Sequence, residues 1–357
     1  MDEREYLAKH LRNIRRSSRR IRAMLEKSYA NLGREIASQK FVSPTTFAWS
    51  KNEKLAKRVD LILGQQNVGL KNEMTRSIIS EWKLASQKND ELVKKYIGDT
   101  YVYHKASKEL FQANTEALKA FLLRTDTNQF NLSKRVWNLT KETKAQLKYH
   151  IGQGIATGKG ASEISRDIRN VLVEPNRLYR RIRDKTGKLV LSKPAKLYKP
   201  GSGVYRSSYK NALRLASNEM NLSYRKSDFV RRSQLPFIAG QKVNLSGSHP
   251  VYDICDEMKG VYPKDFQFYG WHVGCFCYTT SILMEKKKFI KYLKTGKIDK
   301  RLYVNKIPIK AERYVNKHAK KIGKMKNKPY WTENFTQKIK LKDSIGQTRS
   351  LKDLELK

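Results

Sequence analysis

All three cysteines of this 357-residue chain, Cys255, Cys275 and Cys277, fall within 23 consecutive residues, and two of its six histidines, His249 and His272, lie beside them. Soft thiolates and imidazole at short separations are what a tetrahedral zinc ion takes as ligands. The spacing is C-x16-H-x2-C-x-C, so Cys255, His272, Cys275 and Cys277 are the candidate ligands of one structural zinc ion, with His249 as the alternative ligand. C-x-C is tighter than the usual pair spacing of a zinc site. Free thiols around a hydrogen-bonded histidine in a small core, and a redox pair, are therefore competing readings.

The same residues admit two enzymatic readings. A thiol protease would use His272 as base for Cys275 or Cys277, but closeness in sequence is poor support for that geometry. A metal-dependent nuclease, with His249 or Asp253 holding or activating a water, is the better rival because a basic chain suits its substrate. Neither outweighs a structural use of the cluster, and the expectation is that the protein is not an enzyme.

The elements that would position this cluster are mostly helical. From Pro44 to Pro175 the chain has no intervening proline and shows helical spacing, punctuated by turn signals at Gly64, Asn67-Val68-Gly69 and Asp126-Thr127-Asn128. Ser133 is placed to cap a helix with Val136, Leu139, Leu147 and Ile151 on one side, ending at Gly152 and Gly154. After Gly158-Lys159-Gly160, Ser162 can cap a second helix bearing the stripe Ile164, Ile168, Val171 and Leu172. A further helix from about Ser207 to Arg232 has Leu213, Ala216 and Met220 on an apolar stripe and Arg214, Asn218, Asn221 and Arg225 on a polar one. Glu219 borders the apolar side and needs a partner if buried, so Glu219 and Arg214 read as structural residues holding that helix. The fold expected is α+β and predominantly α-helical. It has a helical N-terminal region (1–130), a central α+β domain (131–282) ending in a small β-rich Cys/His knuckle, and an extended basic C-terminal arm (283–357).

Charge sets the kind of partner. Lys and Arg total 75 against 33 Asp and Glu, a formal charge of +42, so close contact with a polyanion is the default expectation. Three cysteines cannot make a disulfide framework, no apolar run reaches the roughly 20 residues of a membrane span, and the acidic opening lacks the charge order of a secretory signal. Membrane contact and export are not expected. Six arginines, Arg12, Arg15, Arg16, Arg19, Arg20 and Arg22, crowd eleven residues of a predicted helix and cover more than one of its faces, too many for a plain core helix. Residues 176–210 carry eleven Lys or Arg, Arg180 and Arg181 among them, against Asp184 alone, with a turn at Lys185-Thr186-Gly187-Lys188 that suggests a basic hairpin. From Ser281 onward 23 basic residues, Lys286, Lys287 and Lys288 included, face 7 acidic ones, interleaved with Phe289, Tyr292, Tyr303 and Tyr314. These three clusters are the candidate phosphate-binding segments.

Three blocks in order resemble the phage Mu F-like minor head protein family, also called phage head morphogenesis proteins. They are Ile155-Ala-Thr-Gly158-Lys-Gly160-Ala-Ser162-Glu163-Ile164-Ser-Arg-Asp-Ile168, then Ala212-Leu-Arg214-Leu-Ala216-Ser-Asn-Glu219, then His249…Asp253-Ile-Cys255…Gly260…Pro263…His272-Val-Gly-Cys275-Phe-Cys277. The resemblance spans roughly residues 130–282. The chain departs from the family pattern at Ser217-Asn218, at Val273 and Phe276, and by a basic insertion over 176–206. The resemblance implies a structural protein of a tailed-phage head, associated with the portal protein and major capsid protein, in contact with packaged double-stranded DNA and taking no small-molecule substrate. It would reside inside the virion after assembly in the host cytoplasm.

Overall fold

A computed structural model of the chain describes residues 2–41, 47–98, 110–126, 128–173, 181–191, 207–247, 252–325, 328–335, 341–342 and 348–349. It is mostly helical with small antiparallel sheets, an α+β protein. In chain order the helices are α1 (Glu3–Ala37), α2 (Glu53–Ile97), α3 (Thr115–Leu123), α4 (Leu132–Ala156), α5 (Ala161–Val173), α6 (Ser208–Gln234), α7 (Ile254–Met258), α8 (Lys286–Thr295) and α9 (Ile309–Gly323). The strands that matter here are β1 (Arg181–Arg183), β2 (Leu189–Leu191), β3 (Ile238–Asn244), β4 (Gly260–Pro263) and β5 (Tyr278–Leu283). The chain forms two compact units, each assembled from non-consecutive segments, and their boundaries fall inside α1, α2, α3 and α6.

One unit comprises Ile14–Ser77 and Leu122–Ser217. Within it α1 buries Ile14, Ile21, Leu25, Tyr29, Leu32 and Ile36 at helical spacing. Arg15, Arg16, Arg19, Arg20 and Arg22 are all exposed, as is Arg12 one turn earlier on the same helix. At 100° per residue the six arginines fill an arc of about 160° opposite that stripe, so the helix serves a core after all and the cations take the remaining face. Among the described residues Arg20 reaches a buried carboxylate, Glu73, at 2.7 Å.

The turn signals of Gly64 and Asn67-Val68-Gly69 are overridden, because α2 runs unbroken through them. Small size is used at Gly69, where a Cβ would already touch the Met24 sulfur. Asp126 does make a turn, its Oδ1 accepting from the N–H groups of Asn128 and Phe130. Asn131, not Ser133, caps α4, accepting from Lys134 N–H at 2.9 Å, and that helix continues past both glycines to Ala156. Gly154 is needed there because the Ile164 side chain of α5 packs against its Cα, leaving no room for a methyl group. Ser162 lies inside the first turn of α5 rather than before it, while Ile164, Ile168 and Leu172 are buried as their spacing requires. The basic hairpin forms as β1 paired to β2, Arg181 opposite Leu191, with Asp184 accepting from Thr186 and Lys188 N–H in its turn. Arg180 lies outside the described residues.

The other unit comprises residues 1–13, Ile78–Phe121 and the chain from Asn218 onward. Its sheet has the order β4-β3-β5, all antiparallel. The segment expected to be an extended arm instead contains α8 and α9, and its described residues include Trp331 and Phe335 in a buried cluster. Phe289 of α8 is buried with Phe237 and Tyr96, leaving Lys286, Lys287 and Lys288 exposed. Ala311, Val315, Ala319 and Ile322 of α9, with Trp331 and Phe335, are buried in one cluster with Cys255, Cys275 and Cys277. Four small or aliphatic residues at i, i+4, i+8 and i+11 gave that helix an apolar face hidden among lysines.

Behind the sheet lies a buried charged group. Asp228 of α6 receives Lys88 Nζ at 2.6 Å, Asn89 Nδ2 at 2.8 Å and the Arg232 guanidinium, which also reaches Gln241 and Thr279. Burial disfavours its ionised form, yet Arg232 and Lys88 outweigh burial and hold its pKa at about 2. An acid with a lowered folded pKa stabilises the fold above its unfolded value and loses that contribution as pH falls through the folded one. Asp228 should therefore contribute about 2 kcal/mol at neutral pH, lost between about pH 4 and pH 2. Asp228→Asn leaves the buried Arg232 guanidinium without its carboxylate and Lys88 with only Glu3 at 3.7 Å, and should cost about 3–5 kcal/mol in urea unfolding at pH 7, with a flatter stability profile in that acid window. Equal acid sensitivity in wild type and variant would show that the pair is not coupled to folding.

Candidate metal centre

Four local devices bring the cysteines and histidine together. Asp253 caps α7: its Oδ1 accepts from Cys255 N–H at 2.6 Å, and Asp256 returns the bond to Asp253 N–H at 3.1 Å. This fixes Cys255 in the first turn, with its sulfur buried. A tight turn then joins His272 to Cys275, closed by Cys275 N–H on the His272 carbonyl at 3.1 Å. Its third residue, Gly274, has φ +80°, a conformation that favours glycine. Within that turn His272 Nδ1–H donates to the Val273 carbonyl at 3.1 Å, which leaves the Nε2 lone pair facing the sulfurs.

The third device is Arg225 of α6. Its guanidinium donates to the carbonyls of Tyr269 at 2.6 Å, Cys275 at 2.5 Å and Cys277 at 2.9 Å, lacing the 269–277 loop from one point. Gly270, at φ +100°, makes room for it, since a Cβ there would collide with the guanidinium. The fourth is an aromatic wall. Trp271 packs against Phe268, Tyr262, Phe266 and Trp331 at centroid distances of 5.1 to 6.3 Å, and Asn334 ties the tail down by bonding both N–H and C=O of Gln267.

The resulting geometry can be tested against a metal. Cys255 Sγ lies 3.3 Å from His272 Nε2 and 3.9 Å from Cys275 Sγ, and the three donor atoms fall within 4.8 Å of one another. In a tetrahedron with metal–sulfur bonds of about 2.3 Å and metal–nitrogen bonds of about 2.0 Å, sulfur–sulfur edges are about 3.8 Å and sulfur–nitrogen edges about 3.5 Å. The two edges that meet at Cys255 Sγ, 3.3 Å and 3.9 Å, lie within a few tenths of an ångström of those values, and the third is no longer than 4.8 Å. This Cys-His-Cys cluster could hold a metal ion. Cys277, also buried, stands next to the trio, its thiol interacting with those of Cys255 and Cys275. His249 lies outside the described residues.

Proton sharing within the cluster favours a thiolate. The Cys275 thiol is driven far below the ordinary thiol range by hydrogen bonds from Cys255 and Cys277, which outweigh burial, and by the Arg225 charge and Trp271 N–H. Cys255 is correspondingly raised, since it donates to the other two. Ser246 N–H is directed at the Cys277 sulfur. Two thiols and an imidazole nitrogen within 4.8 Å of one another form a donor set suited to a soft divalent cation. Asp253 Oδ2 is 3.6 Å from His272 Nε2, but its partner oxygen is engaged in capping α7.

Elsewhere, Glu219 is buried, as its border position demanded, and Arg214 is half-buried on the same helix; both make contacts with other groups. The residue that sequence reasoning passed over is Arg225. It had been visible only as one member of a polar helical stripe, and nothing in its spacing signals that its partners are three carbonyls of a loop about 45 to 50 residues away. No family model, curated protein or solved structure matches the chain.

Metal removal should be measurable. A ligand at 100 times its Kd stabilises the folded state by about 2.7 kcal/mol, so stripping the protein with a chelator under reducing conditions should lower Tm by several degrees, reversed by added zinc and not reversed in Cys275→Ser. An unchanged Tm after verified metal removal would contradict the assignment. Arg225→Ala should weaken metal binding by about 10–100-fold in a competitive chelator titration, because the loop carrying three of the four candidate ligands is no longer held.

Proposed function

We propose that the protein is a minor head protein of a tailed bacteriophage, a non-enzymatic assembly component at or near the portal inside the head, with one zinc ion in its Cys/His knuckle and sequence-independent contact to packaged duplex DNA. The observation that carries this reading is the ordered set of three blocks, of which the last, from Asp253 to Cys277, folds around one donor cluster. A charge of +42 fits a protein that lies against condensed DNA, through release of counterions. Among the described residues no helix is long and apolar enough to cross a membrane, in keeping with a partner inside a particle.

Asp253 bears on the nuclease alternative. Asp253 Oδ1 caps the first turn of α7, a structural use of this carboxylate that favours a fastening role. The cluster is better suited to fasten the loop to α6 than to activate a nucleophile.

Two measurements test the proposal. Co-expressed with the portal protein and major capsid protein of a tailed phage, the protein should co-purify with portal-containing procapsids and be protected from protease until the shell is opened. Accessibility on intact particles, or no association with portal, would contradict it. Incubated with plasmid DNA and Mg2+, Mn2+ or Zn2+, it should leave the DNA intact; divalent-dependent cleavage lost in Asp253→Asn would establish the nuclease instead.

A further inference from the structure

Helix α9 separates its charge sharply from its core. Ala311, Val315, Ala319 and Ile322 are buried against the knuckle, while Lys310, Arg313, Lys317, Lys320, Lys321 and Lys324 are all exposed. At 100° per residue the six cations lie within an arc of about 100° on the side facing away from the core, and at 1.5 Å per residue they extend over about 21 Å. Glu312, the helix's one acid, lies well off that arc. None of the six has a carboxylate partner among the described residues, unlike Arg20 of α1, which is held by Glu73.

Such a face is unfavourable in isolation. Successive cations at i, i+3 and i+4 repel one another, and the helix keeps them together only because its opposite face is anchored in an aromatic core. An external polyanion relieves that repulsion along its whole length. Unpaired bases would need exposed aromatics to stack on, and the ring nearest the arc, Tyr314, is half-buried on the core and set against His318 with ring centroids 4.3 Å apart. A straight cationic ridge without a stacking platform suits the phosphates of a duplex, whose major groove is wide enough to admit a helix.

We propose that the outer face of α9 is the surface on which this protein tracks the backbone of double-stranded DNA, with the Cys/His knuckle as the seat that holds the helix in place. The proposal rests on the DNA contact in the function proposed above and assigns it to one helix, in place of the exposed lysines of α8.

The test is fluorescence anisotropy with the full-length protein and a 30-base-pair duplex of arbitrary sequence, titrated over a range of salt concentrations. Three proteins are compared: wild type, Lys317→Gln/Lys320→Gln/Lys321→Gln on α9, and Lys287→Gln/Lys291→Gln/Lys294→Gln on α8, which removes the same charge. Each lost phosphate contact removes about 0.9 from the slope of log K against log salt. The α9 variant should lose close to three such increments and bind roughly a hundredfold more weakly at 0.15 M salt, whereas the α8 variant stays near wild type. Circular dichroism identifies a variant that has unfolded, and Lys317→Arg/Lys320→Arg/Lys321→Arg, which keeps the charge, should bind as wild type does. Steep wild-type salt dependence with an unaltered α9 variant would overturn the assignment to α9 while leaving DNA contact intact. A flat wild-type response would overturn the DNA contact itself, and tighter binding of a single strand than of the duplex would overturn the choice of partner.

Discussion

Three buried sulfurs, one of them in contact with an imidazole, are the constraint around which the Cys/His knuckle is organised. Thiols placed that closely cannot all ionise, and they gain little from packing alone. They are stable together when they share protons around one thiolate, or when a cation takes the protons' place. Cys275 collects hydrogen bonds from its neighbours and the field of Arg225, and the cluster of Cys255, His272 and Cys275 could hold a metal ion. We read the cluster as a fastening, since its surroundings serve to hold backbone rather than to admit a substrate.

Much else follows from keeping that fastening closed. Arg225 ties α6 to the loop of Cys275 and Cys277, the capping box of Asp253 presents Cys255, and the strand that follows Cys277 enters the sheet beside β3. The aromatic wall of Trp271, Phe266 and Tyr262 excludes water from one side, and α9 with Trp331 and Phe335 covers it further. The tail is thus part of the knuckle's core, and its lysines are displayed because their helix is buried along the opposite side. Local order and surface charge arise from the same packing.

The sequence made some of this legible and hid the rest for identifiable reasons. Clustering of cysteine and histidine marked the site, because few other uses of those residues bring them so near in so long a chain. The α4–α5 pair was readable from aliphatic spacing and a glycine turn, although its caps fell on different residues than expected, since several polar side chains near a helix start can accept the same N–H. Turn-forming residues misled within α2, where Gly69 meets a neighbouring side chain at close range and a long amphipathic helix overrides local preference. The apolar face of α9 went unread because Ala311 and Ala319 carry little hydrophobic weight beside so many lysines. Arg225 could not be read at all, because its partners are backbone carbonyls distant in sequence.

The most direct test of the central claim is X-ray absorption at the zinc edge on protein purified under reducing conditions without added chelator. The account predicts one equivalent of metal with a first shell of three sulfur atoms near 2.3 Å and one nitrogen near 2.0 Å, contributed by Cys255, Cys275, Cys277 and His272. Protein that folds and assembles with no bound metal, or a shell made only of oxygen and nitrogen, would contradict it.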